Sequence, residues 1–137
     1  MKNSKLRLFV CSISAGVFLS GCSDLIVTNV HHAPFTGPAL QVKMMVKNDG
    51  LKSAPASTTK LEIKPAGSTT FTRSLTAPTP ALTSSQQIEV FVVPLYPHEV
   101  PAPGSGQCME LRACADSANV VSESSEGNNC KTNTTCR

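Results

Sequence analysis

Apolar and polar residues alternate along most of the chain after Asp24, and no stretch there keeps a helical period, which is the pattern of strands with one buried face. Leu25 to Val30 predicts a first strand. Leu40, Val42, Met44 and Val46 alternate with Gln41, Lys43 and Lys47 in a second, which Asn48-Asp49-Gly50 stops, Gly50 being free to take a positive φ. Thr59, Leu61 and Ile63 point one way and Lys60, Glu62 and Lys64 the other, up to Pro65-Ala66-Gly67. Phe71 to Leu75 predicts a short strand ahead of a turn at Pro78 and Pro80. In Gln86 to Val93, Ile88, Val90 and Val92 share one face, while Phe91 and Val93 make the other apolar near its end. Pro94, Pro97, Pro101, Pro103, Gly104 and Gly106 then exclude regular structure until alternation resumes in Cys108 to Ala115. There Met109, Leu111 and Ala113 point inward and Glu110 and Arg112 outward. With a last strand from Cys130 to Cys136, this gives about seven short strands and predicts an all-β, two-sheet sandwich.

The first 21 residues follow a different logic. Lys2, Lys5 and Arg7 precede a mostly apolar run from Leu8 to Leu19, with no acidic residue among them. That run is shorter than the roughly 20 residues a spanning helix needs, and its layout is that of an export signal. Leu19-Ser20-Gly21-Cys22 resembles the processing box of bacterial lipoproteins. The resemblance implies a signal peptide over residues 1–21 and a mature domain over 22–137. Cys22 would be the mature N-terminus, its thiol carrying diacylglycerol and its amine a further acyl chain such as palmitate. Several buried acyl chains, each CH₂ contributing about 0.8 kcal/mol, hold a domain on a membrane without a spanning helix. Ser23 stands where an Asp would favour inner-membrane retention, so in a Gram-negative host the expected location is the outer membrane, facing out of the cytoplasm.

This boundary changes the meaning of the charge. The whole chain has 12 basic and 9 acidic residues; without Lys2, Lys5 and Arg7 it has nine of each. A neutral mature domain offers no electrostatic case for nucleic acid as a partner. The boundary also sorts the cysteines. Cys11 leaves with the signal and Cys22 takes lipid, so Cys108, Cys114, Cys130 and Cys136 remain. In an exported domain an even number points to disulfides, and their five, fifteen and five intervening residues lack the close C-x-x-C pair of a zinc site. If the Cys108 and Cys130 strands form an antiparallel pair, opposite residues have a constant sum of residue numbers. Cys108 with Cys136 and Cys114 with Cys130 both sum to 244. Both pairs therefore fall opposite in one register and on one face, predicting Cys108–Cys136 and Cys114–Cys130. They would clamp the outward face beside Glu110, Arg112, Thr132 and Thr134, holding a last strand that has almost nothing apolar to bury.

Asp116, Asn119, Val121, Glu123, Glu126, Asn128 and Asn129 are spaced as D-x-x-N-x-V-x-E-x-x-E-x-N-N, which resembles the signature of the cell-adhesion-related domain found in bacteria, CARDB. Asp24-Leu25-Ile26-Val27 is similar to that family's opening strand, and Val46-Lys47-Asn48-Asp49-Gly50 to its V-K-N-x-G turn. The resemblance implies a seven-stranded immunoglobulin-like sandwich of extracytoplasmic proteins. The departures are a single copy and two disulfides around the signature hairpin. Asp, Asn and Glu in such a loop readily bond nearby backbone, and Asn128-Asn129 can cap the loop before the last strand. The alternative use of Asp116, Asn119, Glu123 and Glu126 is as oxygen ligands for calcium.

No catalytic constellation stands out. The mature histidines are His31, His32 and His98, with no H-E-x-x-H, no G-x-S-x-G and no phosphate-cradling glycine loop. Neighbouring His31 and His32 point to opposite sides of an extended chain, as do Met44 and Met45. No cofactor and no metal site is expected. The expected function is a non-catalytic, lipid-anchored binding or adhesion domain that contacts a protein or glycan at the cell envelope, with the Pro94 to Gly106 loop as candidate contact. The alternative is an accessory structural lipoprotein subunit of a larger envelope assembly.

Overall fold

The computed structural model describes residues 21–33, 40–95, 101–102 and 104–137. The leader up to Ser20 lies outside them, as do Pro97, His98 and Pro103 of the Pro-rich stretch and the side chains of Leu40, Val92 and Val93. Seven strands follow one another: β1 (Leu25–His32), β2 (Leu40–Asn48), β3 (Ser57–Pro65), β4 (Arg73–Thr79), β5 (Gln87–Leu95), β6 (Cys108–Cys114) and β7 (Cys130–Cys136). They form a three-stranded sheet, β1-β2-β5, and a four-stranded sheet, β4-β3-β6-β7, in which every neighbouring pair is antiparallel. Among the described residues no helix is long and apolar enough to cross a membrane.

The alternation decides which residues meet between the sheets. Leu25, Val30, Val42, Met44 and Val46 of one sheet face Leu61, Ile63, Met109, Leu111 and Ala113 of the other, all of them buried. Each of these side chains other than Ala113 contributes about 1.5–3 kcal/mol by leaving water. The intervening positions carry ion pairs instead, Lys60–Glu62 at 2.8 Å and Lys64–Glu110 at 3.1 Å on one sheet and Lys43–Glu89 at 2.9 Å on the other. Met44 is buried while Met45 is not.

Three expectations about the strands need correction. β1 runs two residues beyond Val30, and a bulge between Val27 and Asn29 shifts its register on β2. The extra residue lets Val30 share the inward face with Leu25 and Val27 despite the odd spacing. The fourth strand lies at Arg73–Thr79 and contains Pro78, paired opposite Thr58, instead of ending there. Likewise β5 continues through Pro94 to Leu95. Both strands are at the edges of their sheets, where a missing N–H breaks no ladder.

β6 and β7 pair with Cys108 opposite Cys136 and Cys114 opposite Cys130. Both pairs are disulfide-bonded, with Cα atoms 4.0 Å apart in each. Cys130 to Thr134 are all exposed. Apart from the ladder and the bridges, β7 is tied to the other sheet by the Asn133 amide, which donates to the Val30 carbonyl at 2.9 Å.

Candidate functional site

The strand directions place Cys22 and the connections after β2, β4 and β6 at one end of the sandwich, here called the near end. The C-terminal ends of β1, β3, β5 and β7 lie at the far end. The near end is built around the lead-in segment Cys22 to Asp24. The Leu51 N–H donates to the Cys22 carbonyl at 2.9 Å and the Asp49 N–H to the Asp24 carbonyl at 2.7 Å, so the segment lies along the turn that follows β2. Gly50 does not take the positive φ expected of it. Its requirement is close approach: a Cβ there would overlap the backbone of Cys22, Ser23 and Asp24.

Asn48 holds this turn from inside and is fully buried. Its Oδ1 accepts from the N–H groups of Asp24 and Gly50, both at 3.1 Å. Its Nδ2 donates to the carbonyls of Lys52 at 2.7 Å, Leu82 at 3.1 Å and Thr83 at 3.2 Å. One side chain thus joins the lead-in segment and the connections after β2 and β4.

The long loop between β6 and β7 clamps the segment from the other side. Asp116, buried and with φ 41°, accepts from the N–H groups of Val120 at 3.1 Å and Val121 at 2.8 Å through its two carboxylate oxygens. Asn119 is also left-handed, with φ 54°, a conformation that Asn and Asp tolerate better than most residues. Val121 is buried and pins the loop to the core. Glu123 reaches the first strand, accepting from the Leu25 N–H and from the Asn129 Nδ2, both at 2.5 Å. Ser23 pairs with Glu123 as a parallel bridge, and the Asn128 Nδ2 donates to the Asp24 carboxylate at 3.0 and 3.2 Å.

A single family model, CARDB, matches residues 22–133, the span that this clamp closes. The chain belongs to the CARDB family. Its fold is shared by solved structures, among them these two. One is a solution structure of a domain from Methanosarcina acetivorans, named for the cell surface; it is 19% identical, with a TM-score of 0.53, covering 84% of this chain and 91% of that one. The other is a crystal structure of a CARDB domain from Pyrococcus furiosus in complex with di-metal ions; it is 20% identical, with a TM-score of 0.53, covering 84% of this chain and 93% of that one. No curated protein shows significant sequence similarity to the chain.

In this CARDB domain the signature residues serve as backbone and strand partners. Asp116 and Glu123 spend their oxygens on protein donors, while Asn119 and Glu126 are exposed. Among the described residues no three His, Cys, Asp or Glu side chains gather as metal ligands. The sequence reading marked Asn48 as part of the turn but not as its buried centre, and it missed the long-range contacts of the clamp, among them Leu25 with Glu123 and Asp24 with Asn128, partners 98 and 104 positions apart. His31 and His32 lie within β1, opposite Lys43 and Val42, and so on opposite faces.

Burial raises the Glu123 carboxyl to a pKa of about 7 from the ordinary 4.5, with Glu126 and Asp116 adding to the effect and the hydrogen bonds from Leu25 and Asn129 opposing it. The folded state therefore holds a proton that the unfolded chain releases between these values. This group's stabilisation is complete below pH 4.5 and is lost as pH rises through about 7. Thermal unfolding should accordingly move down by several degrees across that window. Glu123→Gln should remove this part of the pH dependence at little cost, because Asn129 Oδ1 is buried without a partner and can accept from the new amide after a flip. An unchanged pH slope in the variant would contradict the assignment.

At the far end, the C-terminus ties down the described part of the Pro-rich loop. The Gly106 N–H donates to the Arg137 carbonyl at 2.6 Å, the Arg137 N–H to the Gln107 carbonyl at 3.1 Å, and Arg137 Nη1 to the Pro101 carbonyl at 3.3 Å. Gly104 and Gly106 take φ values of 75° and 68°. Cys22 is half-buried at the near end, and its sulfur is disulfide-bonded.

Proposed function

We propose that this CARDB domain is a non-catalytic, extracytoplasmic binding domain, held on a membrane by acyl chains on Cys22 and contacting a protein or glycan partner with its far end. The observation that carries this reading is the clamp on Cys22 to Asp24. A lipidated cysteine followed by a free tether would leave the domain at any angle. Here the residue after Cys22 is already hydrogen-bonded to the sandwich, since Ser23 Oγ donates to the Ser122 carbonyl at 2.9 Å and the Ser124 N–H to the Ser23 carbonyl at 3.0 Å. The near end then faces the bilayer. Strands of seven to nine residues, rising about 3.3 Å each, carry the far-end loops some 20–30 Å out from it. Loops presented in this way on a rigid sandwich are the usual contact surfaces of such domains.

Acylation at Cys22 and a disulfide at the same sulfur exclude each other, so the reading applies to a chain in which that bond is absent. Intact mass of the membrane-extracted protein tests it. The expected species starts at Cys22, carries added acyl mass, and has four thiols that resist alkylation until reduction. A chain that keeps its leader, or starts at Cys22 without lipid, would refute anchoring. Mild cross-linking from membranes tests the partner: shortening the 101–107 segment should abolish the cross-linked species, and a species that survives would move the contact elsewhere.

A further inference from the structure

We propose that the near end itself enters the bilayer surface, with Leu51 and Val120 of the connections after β2 and β6 seated among the lipid headgroups; this rests on the anchoring reading above. Three large apolar side chains are exposed among the described residues: Leu51 at 68%, Val120 at 62% and Phe91 at 52%. The first two are at the end that bears Cys22. Phe91 lies on a sheet face under Lys43, whose Nζ stands 5.1 Å from the ring centre. Leu51 and Val120 have no such cover, apart from Gly21 lying against Leu51. Processing ahead of Cys22 takes Gly21 away.

Both side chains are presented by fixed backbone. The Leu51 N–H is bonded to the Cys22 carbonyl, and the next carbonyl, that of Lys52, accepts from Asn48. The Val120 N–H is bonded to the Asp116 carboxylate, and its neighbour Val121 is buried in the core. Leu51 and Val120 are thus held outward by the same buried Asn and Asp that form the clamp, where a loop free to move would fold an apolar side chain away from water. The occupant of this surface follows from the chain itself. Acyl chains on Cys22 would bring a bilayer to the end of the sandwich that carries Leu51, whose N–H is bonded to the Cys22 carbonyl.

The charges around the pair are mixed. Asp49 is paired with Lys47 at 2.6 Å, Asp24 is held by Asn128, and Lys52 and Glu126 are exposed with opposite signs. Seating should therefore not require anionic lipid.

The chain contains no tryptophan, so a single one reports its own surroundings. Leu51→Trp, Val120→Trp and, at the far end, Thr69→Trp would each be prepared as acylated chains that start at Cys22. Each would be reconstituted in phosphatidylcholine vesicles with and without bromine on the acyl chains. Seating at headgroup depth predicts emission at positions 51 and 120 shifted to the blue and quenched about twofold or more by brominated lipid, with position 69 unaffected. Mass measured on the same samples separates the two readings. Acylated chains with positions 51 and 120 unquenched would overturn the seating and leave anchoring standing. Chains without acyl mass would overturn anchoring, and the seating with it. The two near-end positions are independent, so one variant that fails to fold leaves the other to decide.

Discussion

Asn48→Ala should be among the most damaging single changes in the domain, costing about 2–4 kcal/mol, because one fully buried amide holds the lead-in segment and the connections after β2 and β4 together, its two N–H groups shared among three carbonyls. Alanine removes the acceptor for the N–H groups of Asp24 and Gly50 and the donor to the Lys52 carbonyl, while the Leu82 and Thr83 carbonyls keep the N–H groups of Ala54 and Gln86. Asn48→Asp should be no better at neutral pH. It keeps the acceptor for Asp24 and Gly50 but turns a carboxylate oxygen toward three carbonyl oxygens. Urea unfolding measures both, and a midpoint within the scatter of the parent protein would remove Asn48 from the centre of the near end. The outcome also bears on function, since the same amide fixes how Cys22 leaves the sandwich.

Loss of the inner disulfide should come next. Cys114→Ala with Cys130→Ala opens a loop closed over 16 positions, worth roughly 3 kcal/mol in the chain-entropy view, or about 10 °C in Tm for a domain of this size. The outer bridge, Cys108–Cys136, spans 28 positions and holds the opposite end of β7. Opening the inner bridge alone should release Asn128 and Asn129, and with them the contacts to Asp24 and Glu123, while the outer bridge keeps the C-terminal half of β7 paired. Amide exchange should then speed up from Ala115 to Lys131 and stay slow near Met109. Uniformly slow exchange would mean that the ladder holds β7 without the bridge.

The sequence made some of this structure readable because the controlling interactions are local or periodic. Leu61 and Ile63 set against Lys60 and Glu62 leave one possible inward face, and the equal sums of the cysteine numbers leave one antiparallel register. Proline misled where topology outranks local preference. Pro78 and Pro94 read as breaks, and only the discovery that β4 and β5 are edges explains how strands run through them. The Thr28 bulge hides because a shifted period looks like an imperfect one. The candidate site was half legible. The spacing from Asp116 to Asn129 marked it, and Asp116 does bond its own loop as such residues do. Nothing in the spacing shows that Glu123 reaches the N–H of Leu25, 98 positions earlier, or that Asn48 is buried. Long-range polar contacts carry no periodic signal.

The two edge prolines matter most in a crowd. Molecules tethered to one surface meet in two dimensions at high local density, and an exposed strand edge on each would invite them to join into ribbons. β4 and β5 each form one of the two edges of their sheets, and each offers a neighbour an interrupted row of donors at Pro78 or Pro94. In a dense carpet of this protein, ribbon growth through those two edges would be checked at the prolines, while β1 and β7 are edges without one.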